Sequence, residues 1–530
     1  MLLDFQEIDS TTKLDAKTLF DLVKLSFGVV AGSGALVALV VAYRRQRVDE
    51  AGAHREATRL HTERFSQAVD KLGSDSPAVR LGGVHALAGL ADDAPDDSLR
   101  QTCIDVLCAY LQLPFTPDPG NDPAHQEEHH RYLAFRKVRH TILRLIGDHY
   151  RRPQGSHRSW QGCDLDLTGV TIDGNMNFRR AVFTAGKVDF SGAAFSGGTV
   201  FFSGATFSGA TVDFSGAAFS GGTVAFSRAT FSGGTVGLGD ATFSGAMVDF
   251  SDATFSGGTV FFSGATFSDS MVFFSGAAFS GGAVGFSGAA FSGGTVAFSR
   301  ATFSGGTVGL GDATFSGGTV DFSRAAFSGG AVDFRQAKFS SGRVHFGGAA
   351  FSRGTVFFSA MFSGGTVDFS GAAFSGGTVD FSRATFSGAT VDFSRATFSD
   401  GAVGFRDATF SGGTVDFRSA FSGGAVDFRS IFSGGTVYFS AAFSGGTVDF
   451  SAMFSGGTVD FSRAAFSGGT VDFGARFSGG TVDFSRAAFS GGTVDFSNAV
   501  GPVPTGLLAA VGTPVPATVR CASAWLPTFP

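Results

Sequence analysis

The sequence predicts a mainly β protein, one long solenoid preceded by a transmembrane helix and a small α-helical domain. Three observations carry this. A unit reading V-D-F-S-G/R-A-x-F-S-G-G-T recurs from Leu165 to about Val500 of the 530 residues. An uncharged run, Leu25 to Tyr43, lies near the N-terminus. Between the two, apolar residues recur at helical spacing. Composition excludes the main rivals. With 43% hydrophobic residues the chain is no highly charged disordered protein, and its 78 glycines lack the three-residue period of collagen. A formal charge of −6 is too near balance for bulk attraction to nucleic acid. Four scattered cysteines make no disulfide framework, which fits a reducing compartment.

Residues 1–24 form a polar N-terminal segment. The run 25–43 spans roughly 28 Å as a helix, just enough for a bilayer core. Arg44, Arg45, Arg47, Arg55 and Arg59 follow it, against Lys13, Lys17 and Lys24 before it. The positive-inside rule therefore predicts a single-pass protein of the cell membrane with its C-terminal bulk in the cytoplasm. Gly28 and Gly32 form a G-x-x-x-G pair, which offers a face for homodimerisation through the membrane helix.

The stretch 44–150 is predicted helical. A charged helix stops at Gly73, and Ser76-Pro77 places a capping hydroxyl before a proline at the first helical position. Val79, Leu81, Val84, Leu87 and Leu90 share one face of the next helix. Asp96 or Asp97 caps a third helix carrying Ile104, Leu107 and Leu111, which Pro114 ends. A loop with Pro114, Pro117, Pro119 and Pro123 leads to a last helix, about Gln126 to His149, with Leu133, Val138, Ile142, Leu145 and Ile146 apolar. Residues 151–164 form a linker or N-terminal cap. Residues 501–530, with Pro502, Pro504, Pro514, Pro516, Pro527 and Pro530 and with Trp525, cover the last coil.

In the array 165–500 the valines fall twelve residues apart at Val188, Val200, Val212, Val224 and Val236, and onward to Val494. Some units have eleven residues, losing one between the two phenylalanines, as at Phe358-Ser-Ala-Met-Phe362. Val200 and Phe202 alternate with Phe201, and Ala205 and Phe207 with Thr206. Bursts this short are buried only by stacking on their own copies, with identical phenylalanines forming internal ladders. VDFSG and AAFSG each fit the frame small-x-Phe-polar-Gly, so the unit resembles the tandem repeats of the pentapeptide-repeat family, with Gly-Thr inserted. The resemblance implies a right-handed quadrilateral β-helix with Phe and the residue two before it inside. A four-faced coil would take two units per turn and a two-faced coil one. Four faces are expected, because two phenylalanines, a valine and an alanine crowd a two-sided coil. QAVDKLGSDSPAVRLGGVHALAGLADD (67–93) and QTCIDVLCAYLQLPF (101–115) also look like actinobacterial, membrane-anchored members of that family.

Candidate chemistry is sparse. His125-Gln-Glu-Glu128-His129 matches H-x-x-E-H, but a zinc protease of that type needs a further ligand downstream and no Glu follows Glu128. Cys103 and Cys108 point about 140° apart on one helix, which suits buried apolar residues better than a metal pair. The Ser-Gly-Gly runs lack a phosphate-loop lysine, and their serines read as corners. No catalytic group, metal or cofactor is expected, and no enzyme. Asp368, Asp380, Asp392, Asp416, Asp427, Asp449, Asp460, Asp472, Asp483 and Asp495, each after a Val, form an acidic stripe for a basic protein partner, with Arg383, Arg395, Arg463 and Arg486 compensating beside it. Thr before Val also recurs, but Ala283, Ala331, Ala402 and Ala425 interrupt the row, against ice binding. The expected function is a membrane-anchored scaffold or protein–protein interaction surface, and a nucleic-acid partner is not expected. Some pentapeptide-repeat proteins instead mimic duplex DNA and inhibit gyrase, and this is the rival reading. Its weakness is charge, since a duplex carries one negative charge per ~1.7 Å.

Overall fold

The computed structural model describes residues 15–115, 118–120, 122–153 and 155–526. Lys13, Pro117, Pro527 and Pro530 lie outside the described residues. The described residues form a parallel β-solenoid of about 15 turns, preceded by four α-helices.

Helix α1, Ala16–Leu72, is a single 57-residue helix ending at Gly73. It therefore runs without a break from within the segment 1–24, through the apolar run, into the charged helix. It is long and apolar enough to cross a membrane. Leu25, Phe27 and Leu39 are all about 70% exposed, the surface a lipid phase would cover. Only its far end packs on protein, through His61, Ala68 and Leu72.

Helix α2, Pro77–Asp92, starts at Ser76 with Pro77 in its first turn, but the Ser76 side chain makes no capping bond. Val84 and Leu87 are buried, whereas Val79 is exposed; Ala88 and Ala91 complete the buried face instead. Helix α3, Asp97–Gln112, is capped by Asp96, whose Oδ1 accepts from Leu99 N at 2.9 Å. Helix α4, Gln126–Tyr150, buries Val138, Ile142, Leu145 and Ile146, while Leu133 is exposed.

The solenoid closes one turn with every second unit. Thr206 pairs with Thr230, Val188 with Val212, and Phe231 with Phe255, all parallel and in register. A turn with one eleven-residue unit is shorter by one position, so that Val356 pairs with Val379. A turn with two such units is shorter by two, and Thr409 pairs with Ile431. Each turn carries four strand segments, so the four-face expectation holds. Each unit gives its V-x-F segment to one sheet and its A-x-F segment to the other, the next unit doing the reverse; among the described residues the first sheet has 27 strands and the second 22.

The inward set is Val and Phe of V-x-F, then Ala and Phe of A-x-F: Val200, Phe202, Ala205 and Phe207 are at most 1% exposed. Four phenylalanine ladders result. Those from Phe183 to Phe489, Phe178 to Phe484 and Phe195 to Phe477 are unbroken. Rings one turn apart lie parallel, as Phe226 and Phe250 do, with centroids 4.6 Å apart and planes within 2°. The ladder from Phe190 to Phe496 is interrupted by Leu238 and Leu310, both fully buried.

The corner after V-x-F explains the two unit lengths. In twelve-residue units the Ala three positions on donates to the Phe carbonyl, as Ala349 N does to Phe346 O (2.9 Å). The residue before that Ala has positive φ, a position usually given to Gly but here often Arg, as at Arg324 (φ 56°). Eleven-residue units lack this residue and close a tighter turn: Ala360 N donates to Phe358 O, only two residues back (2.6 Å). Deletion of one exposed corner residue leaves the stacked core in register.

The helical domain docks onto the first turns. Asp173 accepts from Tyr132 Oη (3.1 Å), Arg136 Nε (2.7 Å) and His140 Nε2 (2.9 Å), all on α4. At Gly147 the helix comes so close that a Cβ would stand 2.6 Å from Asn177 O. Tyr150 packs on Phe178 and Phe183, closing two ladders. The N-terminal cap is therefore α3 and α4 as well as residues 151–164, of which Trp160 is fully buried against His149. At the other end Trp525 packs on Phe477 and Phe496, and Val519-Arg520 pairs with Val494-Asp495.

Candidate functional site

The solenoid surface is the first candidate, and the register decides what it presents. The ten Asp residues do not form one stripe. On the first sheet Asp427, Asp449, Asp472 and Asp495 stand in successive turns, with Asp380 separated from them by Gly404. On the second, Asp368, Asp392 and Asp416 are consecutive, Tyr438 intervenes, and Asp460 and Asp483 follow. Successive V-x-F segments alternate between sheets because a unit is half a turn, so the Asp they carry fall into two rows.

Each of these carboxylates also has a local task. Oδ1 accepts the backbone N–H two residues on, as Asp449 does from Ser451 (2.8 Å) and Asp380 from Ser382 (2.9 Å). The bond closes the corner in the manner of an Asx turn. Arg383, Arg395, Arg463 and Arg486 do not pair with the Asp rows in the described residues; they sit at positive-φ corners. The compensating cations are those directly at the corner or one turn on: Arg418 to Asp416, Arg429 to Asp427 and, at 3.3 Å, Arg520 to Asp495. At Asp427 burial opposes ionisation, but the hydrogen bonds from Arg429 outweigh it and lower the carboxyl pKa. His345 bridges Asp321 (3.4 Å) and Asp368 (3.0 Å) across three turns.

The register also divides the Thr positions. From Thr206 to Thr493 on the first sheet, the residues before Val and before the second Phe are all Thr or Ala. Ala283, Ala331, Ala402 and Ala425 all belong here. The large replacements Met247, Met271, Lys338, Arg343, Met361, Ile431, Met453 and Arg476 all belong to the second sheet. Met271, Met361, Ile431 and Met453 are more than 40% exposed. At these positions the first sheet is uniform and the second individual, whereas the residue after Val varies on both, as Phe261 and Gly285 do on the first and Asp416 and Tyr438 on the second. Sequence reading expected a turn of two units but still read each outward position as a single row, and so missed this division.

The remaining candidates are placed as follows. Gly28 and Gly32 lie on the uncovered part of α1, with nothing within 4 Å of where a Cβ would stand. His125 Nδ1 contacts Glu128 Oε2 (3.1 Å) and His129 Nδ1 contacts Asp118 Oδ1 (2.6 Å), so the two histidines of H-x-x-E-H engage different acids. Cys103 and Cys108 are buried, and burial pushes both thiols up to about 12. Corner serines bond their own stack: Ser280 Oγ donates to Phe255 O of the turn before (3.4 Å). Comparison with family models, with curated proteins and with solved structures gives no match.

Proposed function

We propose that the chain is a non-enzymatic, membrane-anchored scaffold of the pentapeptide-repeat type, whose solenoid stands off the cytoplasmic face and offers a protein-binding surface. The observation that carries this reading is the joint between rod and anchor. The Asp173 network and the close approach at Gly147 fix the first turn on α4, and α4 belongs to the same small domain as the end of α1. About 15 turns at ~4.8 Å extend the rod by roughly 70 Å. A rod fixed in this way holds a surface at a set height, and the second sheet, with its individual large side chains, is the face that distinguishes one height from another.

The test places a photo-crosslinking side chain in the full chain, in its own membrane, at Thr254 or Thr302 on the first sheet and at Met361 or Met453 on the second. A recurrent protein adduct from the second sheet alone is the expected result. Absence of any adduct from both sheets would contradict the reading. Inhibition of gyrase supercoiling by the detergent-solubilised chain at sub-micromolar concentration would transfer it to DNA mimicry.

A further inference from the structure

The helical domain holds a cleft of about 480 Å³ where α2, α3 and α4 meet. Three guanidinium groups line it, of which the exposed Arg131 pairs with Glu127 at 3.8 Å. Arg80 donates to Tyr110 Oη (3.0 Å) and to the carbonyl of Ser74, and its guanidinium lies 4.6 Å from the Phe135 ring centre. Arg139 donates to Leu111 O (2.8 Å) and Thr171 O (3.0 Å) and lies 4.7 Å from the centre of Phe115. Among the described residues neither Arg80 nor Arg139 pairs with a carboxylate, although Arg139 is only 4% exposed and its Nε has no partner. Glu128, on the same wall, is engaged by His125. Burial of an unpaired cation is costly, and it pulls the Arg139 pKa below its usual value.

A cleft that leaves two guanidinium groups without a paired carboxylate beside aromatic rings fits a particular chemistry. A phosphate accepts from guanidinium forks at close range, and the rings cover an apolar or planar body attached to it. The volume lies within the range of small-molecule sites, ~300–1,000 Å³. We propose that this cleft binds a soluble phosphate ester on an apolar or aromatic body, its phosphate held by Arg80 and Arg139. A membrane phospholipid offers the same headgroup chemistry, but the geometry disfavours it. The cleft lies beside the far end of α1, and the helix from Tyr43 to Leu72 spans roughly 44 Å at ~1.5 Å per residue.

The probe is phenyl phosphate, titrated into the detergent-solubilised full chain and followed by phosphorus NMR line width. Saturable binding with a Kd of about 1 mM or tighter is expected, with inorganic phosphate about tenfold weaker. Arg80→Gln should weaken phenyl phosphate about tenfold or more, while Arg144→Gln, exposed on the same α4, leaves it unchanged. Circular dichroism melts of each variant, with and without phenyl phosphate, separate lost binding from lost folding: the ligand should raise the melting temperature of the parent chain and of Arg144→Gln, but not that of a folded Arg80→Gln. Line widths that rise without saturating, or binding indifferent to Arg80→Gln, would overturn the proposal. Displacement of phenyl phosphate by dihexanoyl phosphatidic acid at a hundredth of its concentration would overturn the soluble source in favour of a lipid headgroup.

Discussion

At the scale of single residues, the Asp after each Val serves a corner before it serves a surface. Its oxygen accepts a backbone N–H, a task that an amide oxygen performs equally well; Asn177 does so naturally for Arg179 N (3.1 Å). Asp449→Asn is therefore expected to leave stability within about 0.5 kcal/mol, whereas Asp449→Ala should lose about 1 kcal/mol, read by urea unfolding. Equal losses from both would show that charge, not the corner bond, is what the position supplies. Asp173 behaves differently. Burial alone would push its carboxyl up, but hydrogen bonds from His140 and Arg136 outweigh it and hold the carboxyl well below the usual carboxylate range. A depressed folded pKa stabilises at neutral pH and is lost as pH falls below about 4 toward the folded value. Asp173→Asn should accordingly lose about 2–3 kcal/mol at pH 7 and narrow its deficit against the parent chain in acid. A deficit that does not change with pH would remove the ion pairs from the account.

At the scale of elements, the ladders set the tolerance of the core. The chain itself places Leu238 and Leu310 in a phenylalanine ladder without disturbing the register. Phe250→Leu should therefore cost about 1 kcal/mol and Phe250→Ala about 3–5 kcal/mol, since the latter leaves a void that neighbouring turns cannot close. Near-identical losses would mean that the stack relaxes. This level of the fold was largely legible in the sequence. A period of two within each burst named the inward residues, and the crowding of Val, Ala and two Phe named a four-faced turn. The pairing of units into turns was less legible in its consequences. Because each turn takes two units, ten Asp that read as one row divide into two, and the large replacements at the Thr and Ala positions collect on one sheet. The cleft between Arg80 and Arg139 was invisible for another reason: its walls come from α2 and α4, far apart in sequence, and meet only through helix packing.

At the scale of the molecule, the proposed function rests on the continuity of the apolar helix, the helical domain and the rod. The repeat could be read from its period, and the apolar run from its length, but the joint could not. It depends on a glycine at Gly147 and on the single acid Asp173, neither of which belongs to a motif. Gly147→Ala should force α4 off the first turn, costing about 1–3 kcal/mol and exposing the backbone near residues 173–178 to hydrogen exchange. The most direct measurement of the whole account is electron cryomicroscopy of the full chain in lipid vesicles, beside a chain lacking residues 206–253, two whole turns. A rigid, anchored rod predicts straight densities at a constant angle to the helical domain, shortened by about 10 Å in the deletion. Densities lying along the bilayer, or meeting the helical domain at varying angles, would contradict it.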